Sequence, residues 1–401
     1  MRTRQLQSAR LLFSALFLTF AFAMPASSQT FIYQFSGIAG SPLDHMIFDS
    51  KGNLYGTSLG GAVFKLTPQS GGTWIETNIA NLDAAHFSYS IGGVTMDSKG
   101  NLFGTSVYGG TRMLGSVYEL LPKASGGWTF KTLHAFGAGT DGQNPNVAPV
   151  LDSSGNLYGV TLNGGANKLG TVYRLTPQSN GLWSEKVIHS FGSGTDGQYP
   201  YASLTFDSSG NLYGTTDAGG AYGGGIVYEL TPKSNGSYSE KILYNFGSGS
   251  DGGTPYSNVI FDSSGNLYGT TAGGGAYGFG TAFKLTKNSS GAWSETILHS
   301  FGNGTDGIEP ITGLIFDRSG NLWGTTFVGG AISCSGDSYA GNVFELTPTS
   351  SSWTENVFAN FCSDTGPGGA EGLVFDKSGN LFGLTFAGGN YGGGAAFEII
   401  P

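Results

Sequence analysis

The chain has 401 residues, 70 of them Gly and only 11% charged, with a formal net charge of −9. A lightly charged, acidic surface argues against nucleic acid and anionic membranes as partners, since both select clustered Lys and Arg. Glycine at this level without a three-residue period excludes collagen; here it falls at fixed places between β-branched and aromatic runs, the pattern of turns rather than disorder.

The N-terminus reads as a secretory leader. Arg2, Arg4 and Arg10 precede the apolar run Leu11–Ala23, too short to span a bilayer comfortably, and Ala26-Ser27-Ser28 supplies small residues for cleavage before Gln29. The expectation is a signal peptide over 1–28, a single domain over 29–401, secretion, and no membrane span after removal of the leader. Next comes Thr30–Phe35, which resembles the last strand of each later repeat rather than the first.

From there the chain repeats. An Asp-x-x-Gly-Asn turn begins at Asp49, Asp97, Asp152, Asp207, Asp262, Asp317 and Asp376, at spacings of 48, 55, 55, 55, 55 and 59 residues. A period near 55 suits one propeller blade. In the copy around Tyr201–Phe246, strand a is Tyr201–Phe206, strand b Leu212–Thr216, strand c Ile226–Thr231 and strand d Tyr238–Phe246. The last copy ends after a strand c, at Gly394–Ile400. The first strand of the chain therefore supplies the missing strand d. The predicted fold is all-β: a seven-bladed β-propeller, four antiparallel strands per blade, closed by the N-terminal strand completing the last blade.

Rows across the repeats assign faces. Met46, Val94, Pro149, Leu204, Val259, Leu314 and Leu373 form an apolar row expected between blades. The offset row, His45, Gly93, Ala148, Ser203, Asn258, Gly313 and Gly372, is small or polar and is expected to line the channel. Trp74, Trp128, Trp183, Trp293 and Trp353 share the start of strand d, with Tyr238 in the remaining copy, and read as packing anchors. His134, His189 and His299 share a later strand-d position and read as structural.

The segments Gly313 to Thr326, Leu204 to Thr231 and Leu373 to Ile399 carry Phe-Asp-x-x-Gly-Asn-Leu-Tyr-Gly-Thr-Thr, or close variants, a Gly-rich loop and a strand ending in Leu-Thr or its equivalent. They resemble the gloVer-type (Gloeo_Verruco) tandem repeat of secreted bacterial proteins, over nearly all of the chain after the leader. The Asp-x-x-Gly-Asn-Leu-Tyr part is more loosely similar to NHL-type propeller repeats. The resemblance implies architecture and carries no activity or catalytic residues.

Candidate chemistry lies where the copies differ. Each Gly-x-Gly-Thr/Ser-Asp-Gly loop holds one carboxylate, Asp141, Asp196, Asp251 or Asp306; a structural turn is the main reading and calcium the alternative. No other cofactor is expected. The b–c and d–a loops share one face of the propeller, and on it Tyr108, Tyr199, Tyr222, Tyr256, Tyr277 and Tyr391 are candidate ligand-binding rings, with Tyr339 beside them. Asp44, His45, Glu309 and Glu371 depart from the repeat and are candidate acid–base groups. Cys334 and Cys362 are expected to form a disulfide in an oxidising compartment. The leading reading is a secreted, monomeric, non-catalytic recognition module for an extracellular glycan or a surface protein. A lyase or hydrolase acting at the channel mouth is the second, and a structural or protein-interaction scaffold the third.

Overall fold

The computed structural model describes residues 28–36, 40–82, 92–304, 306–330, 341–361 and 370–401, with only the backbone of Ser28, Ala370 and Glu371. Residues 1–27 of the leader, Tyr339, and both Cys334 and Cys362 with their expected disulfide lie outside the described residues. Seven four-stranded antiparallel sheets follow one another around a ring, and no helix occurs among the described residues. The protein is a seven-bladed β-propeller. In the fourth blade strands a to d are Thr205–Phe206, Leu212–Thr216, Ile226–Pro232 and Tyr238–Asn245.

The ring closes as the sequence predicts. Ser28–Gln34 pairs antiparallel with Ala395–Ile400, running from Ser28 opposite Ile400 to Gln34 opposite Ala395. The seventh blade is completed by Leu381–Thr385 and Ala370–Phe375. Its outer strand is thus the first strand of the chain.

Each strand b is buried along its whole length, because blades cover both of its faces. A glycine at its centre lets an aromatic ring of strand c lie across it: a Cβ on Gly214 would sit 2.4 Å from the Tyr228 hydroxyl. These rings continue into the preceding blade, with Phe191 and Tyr228 meeting edge to face at 5.1 Å. The strand-d aromatics are anchors between blades. Trp183 packs edge to face on Phe103 at 6.2 Å, and Trp353 on Tyr268 at 6.2 Å. The apolar row is buried as expected, from Met46 to Leu373.

Strand a differs from the sequence expectation. In blades two to six only two residues pair with strand b, as at Thr205–Phe206; only Pro42–Phe48 and Ala370–Phe375 are long. The reason is a change of partner. Where ladder bonds stop, the inner segments are held across the seams instead: the Asn146 amide donates to Tyr201 O at 3.0 Å, and Thr215, a strand-b residue, donates its hydroxyl to Ser257 O of the next blade at 2.9 Å. The inner segments are tied to one another around the channel.

Candidate functional site

One repeat position fixes where the inner segments begin. Ser41, Asn144, Tyr199, Thr254 and Glu309 each precede a proline and adopt φ between 56° and 60°. A residue before proline avoids the right-handed helical region, and the left-handed one is open to it only at some cost in strain. What holds it there is a two-sided backbone clasp. Tyr199 N–H donates to Leu169 O of the preceding blade at 2.9 Å, and Tyr199 O accepts from Asp217 N–H at 3.1 Å. Glu309 makes the same pair with Phe279 and Phe327. Tyr199 and Glu309 therefore hold structural backbone positions.

Two residues further on, the chain enters a cavity of about 690 Å³ in the channel. Leu43, Asn146, Tyr201, Tyr256 and Ile311 form one row of its wall; His45, Ser203, Asn258, Gly313 and Gly372 form the next. Leu59, Phe327 and Phe386, where strand b gives way to the b–c loop, complete it. The cavity therefore reaches from the end where the b–c and d–a loops lie down the channel to Val150, Ile260 and Ile315, which pair with strand b. Tyr201 and Tyr256 meet edge to face at 4.9 Å on adjacent blades. Burial, with the Asp217 carboxylate next in weight, pushes the Tyr256 hydroxyl up. Burial likewise pushes the Asp217 carboxyl up, against a hydrogen bond from Tyr256.

Asp44 and His45 break the symmetry of this wall. Asp44 has φ 62°, and the pairing of Pro42–Phe48 with strand b slips between Leu43 and Ile47, a bulge that turns His45 to the cavity. Asp44 Oδ1 accepts both the His45 backbone N–H and His45 Nδ1, each at 2.8 Å. A carboxylate only accepts, so Nδ1 is the donor and the neutral ring carries its lone pair on Nε2. The Asp44 charge raises the His45 pKa, outweighing burial, which lowers it. Gly93 and Gly372 leave room for the pair: a Cβ on Gly372 would stand 2.7 Å from the His45 Cβ.

The other sequence candidates are spread out. Tyr256 is in the cavity wall, while Tyr108, Tyr222, Tyr277 and Tyr391 are exposed on the b–c loops, Tyr391 by 70%. Glu309 is exposed and lies outside the cavity wall, although its charge reaches Tyr256. Glu371 lies in the last strand a with its backbone opposite Leu384. The carboxylates Asp44 and Glu309 do not assemble into one acid–base pair. Tyr201 is a wall residue that sequence reasoning passed over, because it read as an ordinary member of strand a. The row Asn146, Tyr201, Tyr256, following the prolines, is the signal that marks it.

The Asp-Gly loops form a second set of clusters, at the seams between blades near the outer rim. Asp141 Oδ2 faces His134 Nε2 at 3.0 Å, Asp196 faces His189 at 3.2 Å, and Asp306 faces His299 at 2.9 Å. The next blade contributes a glutamate to each, Glu185, Glu240 and Glu355, with all three ligand-type atoms within 4.8 Å of one another. In the fourth loop Tyr244 replaces the histidine and donates to Asp251 and Glu295, each at 3.2 Å. Burial above all, then the neighbouring aspartate, pushes Glu185 and Glu355 up to about 7. Each loop has one acid, but each cluster has two, since the glutamate two residues after the strand-d aromatic comes from the following blade.

The sequence was compared with known proteins. The profile described as the Gloeobacter/Verrucomicrobia repeat matches residues 58–260 and 233–401. No curated protein matches the chain. Among solved structures, virginiamycin B lyase from Staphylococcus aureus aligns with TM-score 0.58 and 14% identity, over 94% of this chain and 99% of that one. A protein of unknown function from Dyadobacter fermentans aligns with TM-score 0.47 and 8% identity, over 94% and 99% of the two chains. At 14% identity the lyase shares the fold and nothing finer.

Proposed function

The chain belongs to the Gloeobacter/Verrucomicrobia repeat family, and from that scaffold we propose that it is an exported binding module whose ligand enters the mouth of the central channel. The observation that carries the reading is the cavity of about 690 Å³, a size suited to a small ligand or the end of a polymer. Its wall combines the crossed rings of Tyr201 and Tyr256 with the amides of Asn146 and Asn258 and the hydroxyl of Ser203. Flat apolar faces beside neutral hydrogen-bonding groups suit a sugar, which has the same two kinds of surface. Export is supported by the leader pattern of Arg2, Arg4 and Arg10 before Leu11–Ala23. The test is calorimetric titration with a panel of neutral oligosaccharides. Tyr256→Ala and Tyr201→Ala are expected to weaken binding at least tenfold, about 1.4 kcal/mol, with Tyr222→Ala unchanged. Binding lost only in Tyr222→Ala would move the site to the outer loops; no binding by any sugar would sink the glycan reading.

One observation favours a second reading, an enzyme acting at the same mouth. Asp44 holds His45 in the tautomer that presents Nε2 as a base, next to the cavity. Fold-level likeness to a lyase adds no weight at this identity. The readings separate on turnover: an enzyme converts the bound compound and His45→Gln abolishes the conversion, whereas a binding module returns the compound unchanged with or without His45.

A further inference from the structure

We propose that the three seam clusters His134–Asp141–Glu185, His189–Asp196–Glu240 and His299–Asp306–Glu355 are binding sites for a divalent transition cation of the zinc type, each joining two blades. Three observations point to a cation. First, the donor set is one imidazole nitrogen and two carboxylates, which suits zinc with a water as fourth ligand; calcium asks for six to eight oxygens. Second, the spacing fits. Ligands about 2.0–2.1 Å from a tetrahedral ion lie about 3.3 Å apart. The histidine-to-carboxylate distances are 3.0 Å in the first cluster, 3.2 and 3.5 Å in the second, and 2.9 and 3.7 Å in the third. Third, the clusters hold buried oxygens without partners among the described residues. Oε1 of Glu185 and of Glu355 is in this state, and so is Oδ1 of Asp306, whose side chain is only 3% exposed; Oε1 of Glu240 has His189 Nε2 at 3.5 Å. A buried carboxylate oxygen with no donor is costly, and a cation would satisfy it.

The charge balance agrees. With both carboxylates ionised and the imidazole neutral a cluster totals −2, which one divalent ion cancels; any proton held by the glutamate is released to solvent on binding. Binding needs no redox step. The Nε2 proton, now directed at the aspartate, leaves; the neutral ring takes the other tautomer with its proton on Nδ1, and Nε2 coordinates.

The fourth loop is an internal control. Tyr244, Asp251 and Glu295 have the same arrangement, but a neutral phenol replaces the imidazole and its hydroxyl bridges both carboxylates. This cluster lacks the nitrogen ligand and is expected to stay metal-free. In the remaining seams no histidine takes this strand-d position: Ala80 and Ala359 stand there, and Tyr33 takes it facing Glu76. The expected stoichiometry is therefore three, not four or seven.

The test uses the full chain after chelator treatment and dialysis. Co²⁺ is titrated with its visible d–d bands as readout, then displaced by Zn²⁺, with bound metal counted by elemental analysis. Three ions per chain are expected. His134→Gln, His189→Gln and His299→Gln should each remove one, and Tyr244→His should add a fourth. The added site keeps the test meaningful should a histidine variant fail to fold. Absence of stoichiometric Co²⁺ or Zn²⁺ uptake, a count indifferent to these substitutions, or preference for Ca²⁺ over Zn²⁺ would each overturn the proposal. A metal-free protein whose clusters respond only to pH would mean that they hold protons instead.

Discussion

A single carboxylate does most to organise each inner hairpin. Asp207 Oδ1 accepts from the backbone N–H groups of Ser209 and Asn211 at 2.8 and 2.9 Å, and Oδ2 from the Asn211 amide at 2.8 Å. Burial pushes this carboxyl up, but the hydrogen bonds outweigh it and hold its pKa below the ordinary value, as at Asp49 and Asp262. A folded-state pKa below the unfolded one stabilises at pH above the unfolded value, and the gain is lost as pH falls through the folded value. The contribution of these aspartates to the urea midpoint is therefore expected to be flat near pH 5–6 and to fall below about pH 4, read as the difference from a variant that lacks them. A triple Asp→Asn variant at positions 49, 207 and 262 should lose less over the same window; an unchanged acid profile would refute this role. Gly214 acts at the same scale. Gly214→Ala places a methyl group 2.4 Å from the Tyr228 hydroxyl, and the ring is fully buried with little room to shift. The expected loss is about 1–3 kcal/mol by chemical denaturation, as for other overpacked cores.

Between elements, the strand-d aromatics show what a sequence row can and cannot reveal. Their repeated position marked them as anchors, and Trp183 does pack on Phe103 of the preceding blade. Trp183→Ala is expected to cost about 3 kcal/mol, read in a thermal or urea melt, and to leave ligand binding at the channel mouth intact. The same logic failed for the acid clusters, for a definite reason. A row shows which residues are equivalent from blade to blade, not which unlike rows meet across a seam. Glu185 is 44 residues from Asp141 along the chain, yet both belong to one cluster. The recurrence of Glu76, Glu185, Glu240, Glu295 and Glu355 two places after the aromatic was visible, but its partner was not. The inner strands show a related limit. Tyr201–Phe206 has strand composition, but the Asn146 amide of the preceding blade holds the Tyr201 carbonyl and only Thr205 and Phe206 stay in the ladder. The fold was legible because seven copies fix the phase. The cavity wall was legible only in part: the row of small and polar residues put His45 in the channel, but the grip of Asp44 on it comes with a bulge that no alternation announces.

For the molecule as a whole, the closing strand is the feature with the widest reach. Removal of residues 28–34 would bare the edge of Ala395–Ile400, which now pairs along its length. Such an edge recruits other chains. The truncated protein is expected to melt less cooperatively and to self-associate, measured by calorimetry and light scattering; a monomer with unchanged melting would show that the closure is dispensable. The same pairing sets an order of events in time. Contacts between Ser28 and Ile400 join the two extremes of the described chain, a loop that must close at an entropic cost before it gains anything. A chain delivered N-terminus first presents this strand at the start and can use it only at the end. Blades one to six can assemble from neighbours as they appear, while the seventh waits. During that wait the strand Ser28–Gln34 has an unpaired edge and exposes Phe31, Ile32 and Tyr33, and its protection until Ala395–Ile400 arrives becomes a kinetic requirement of the ring.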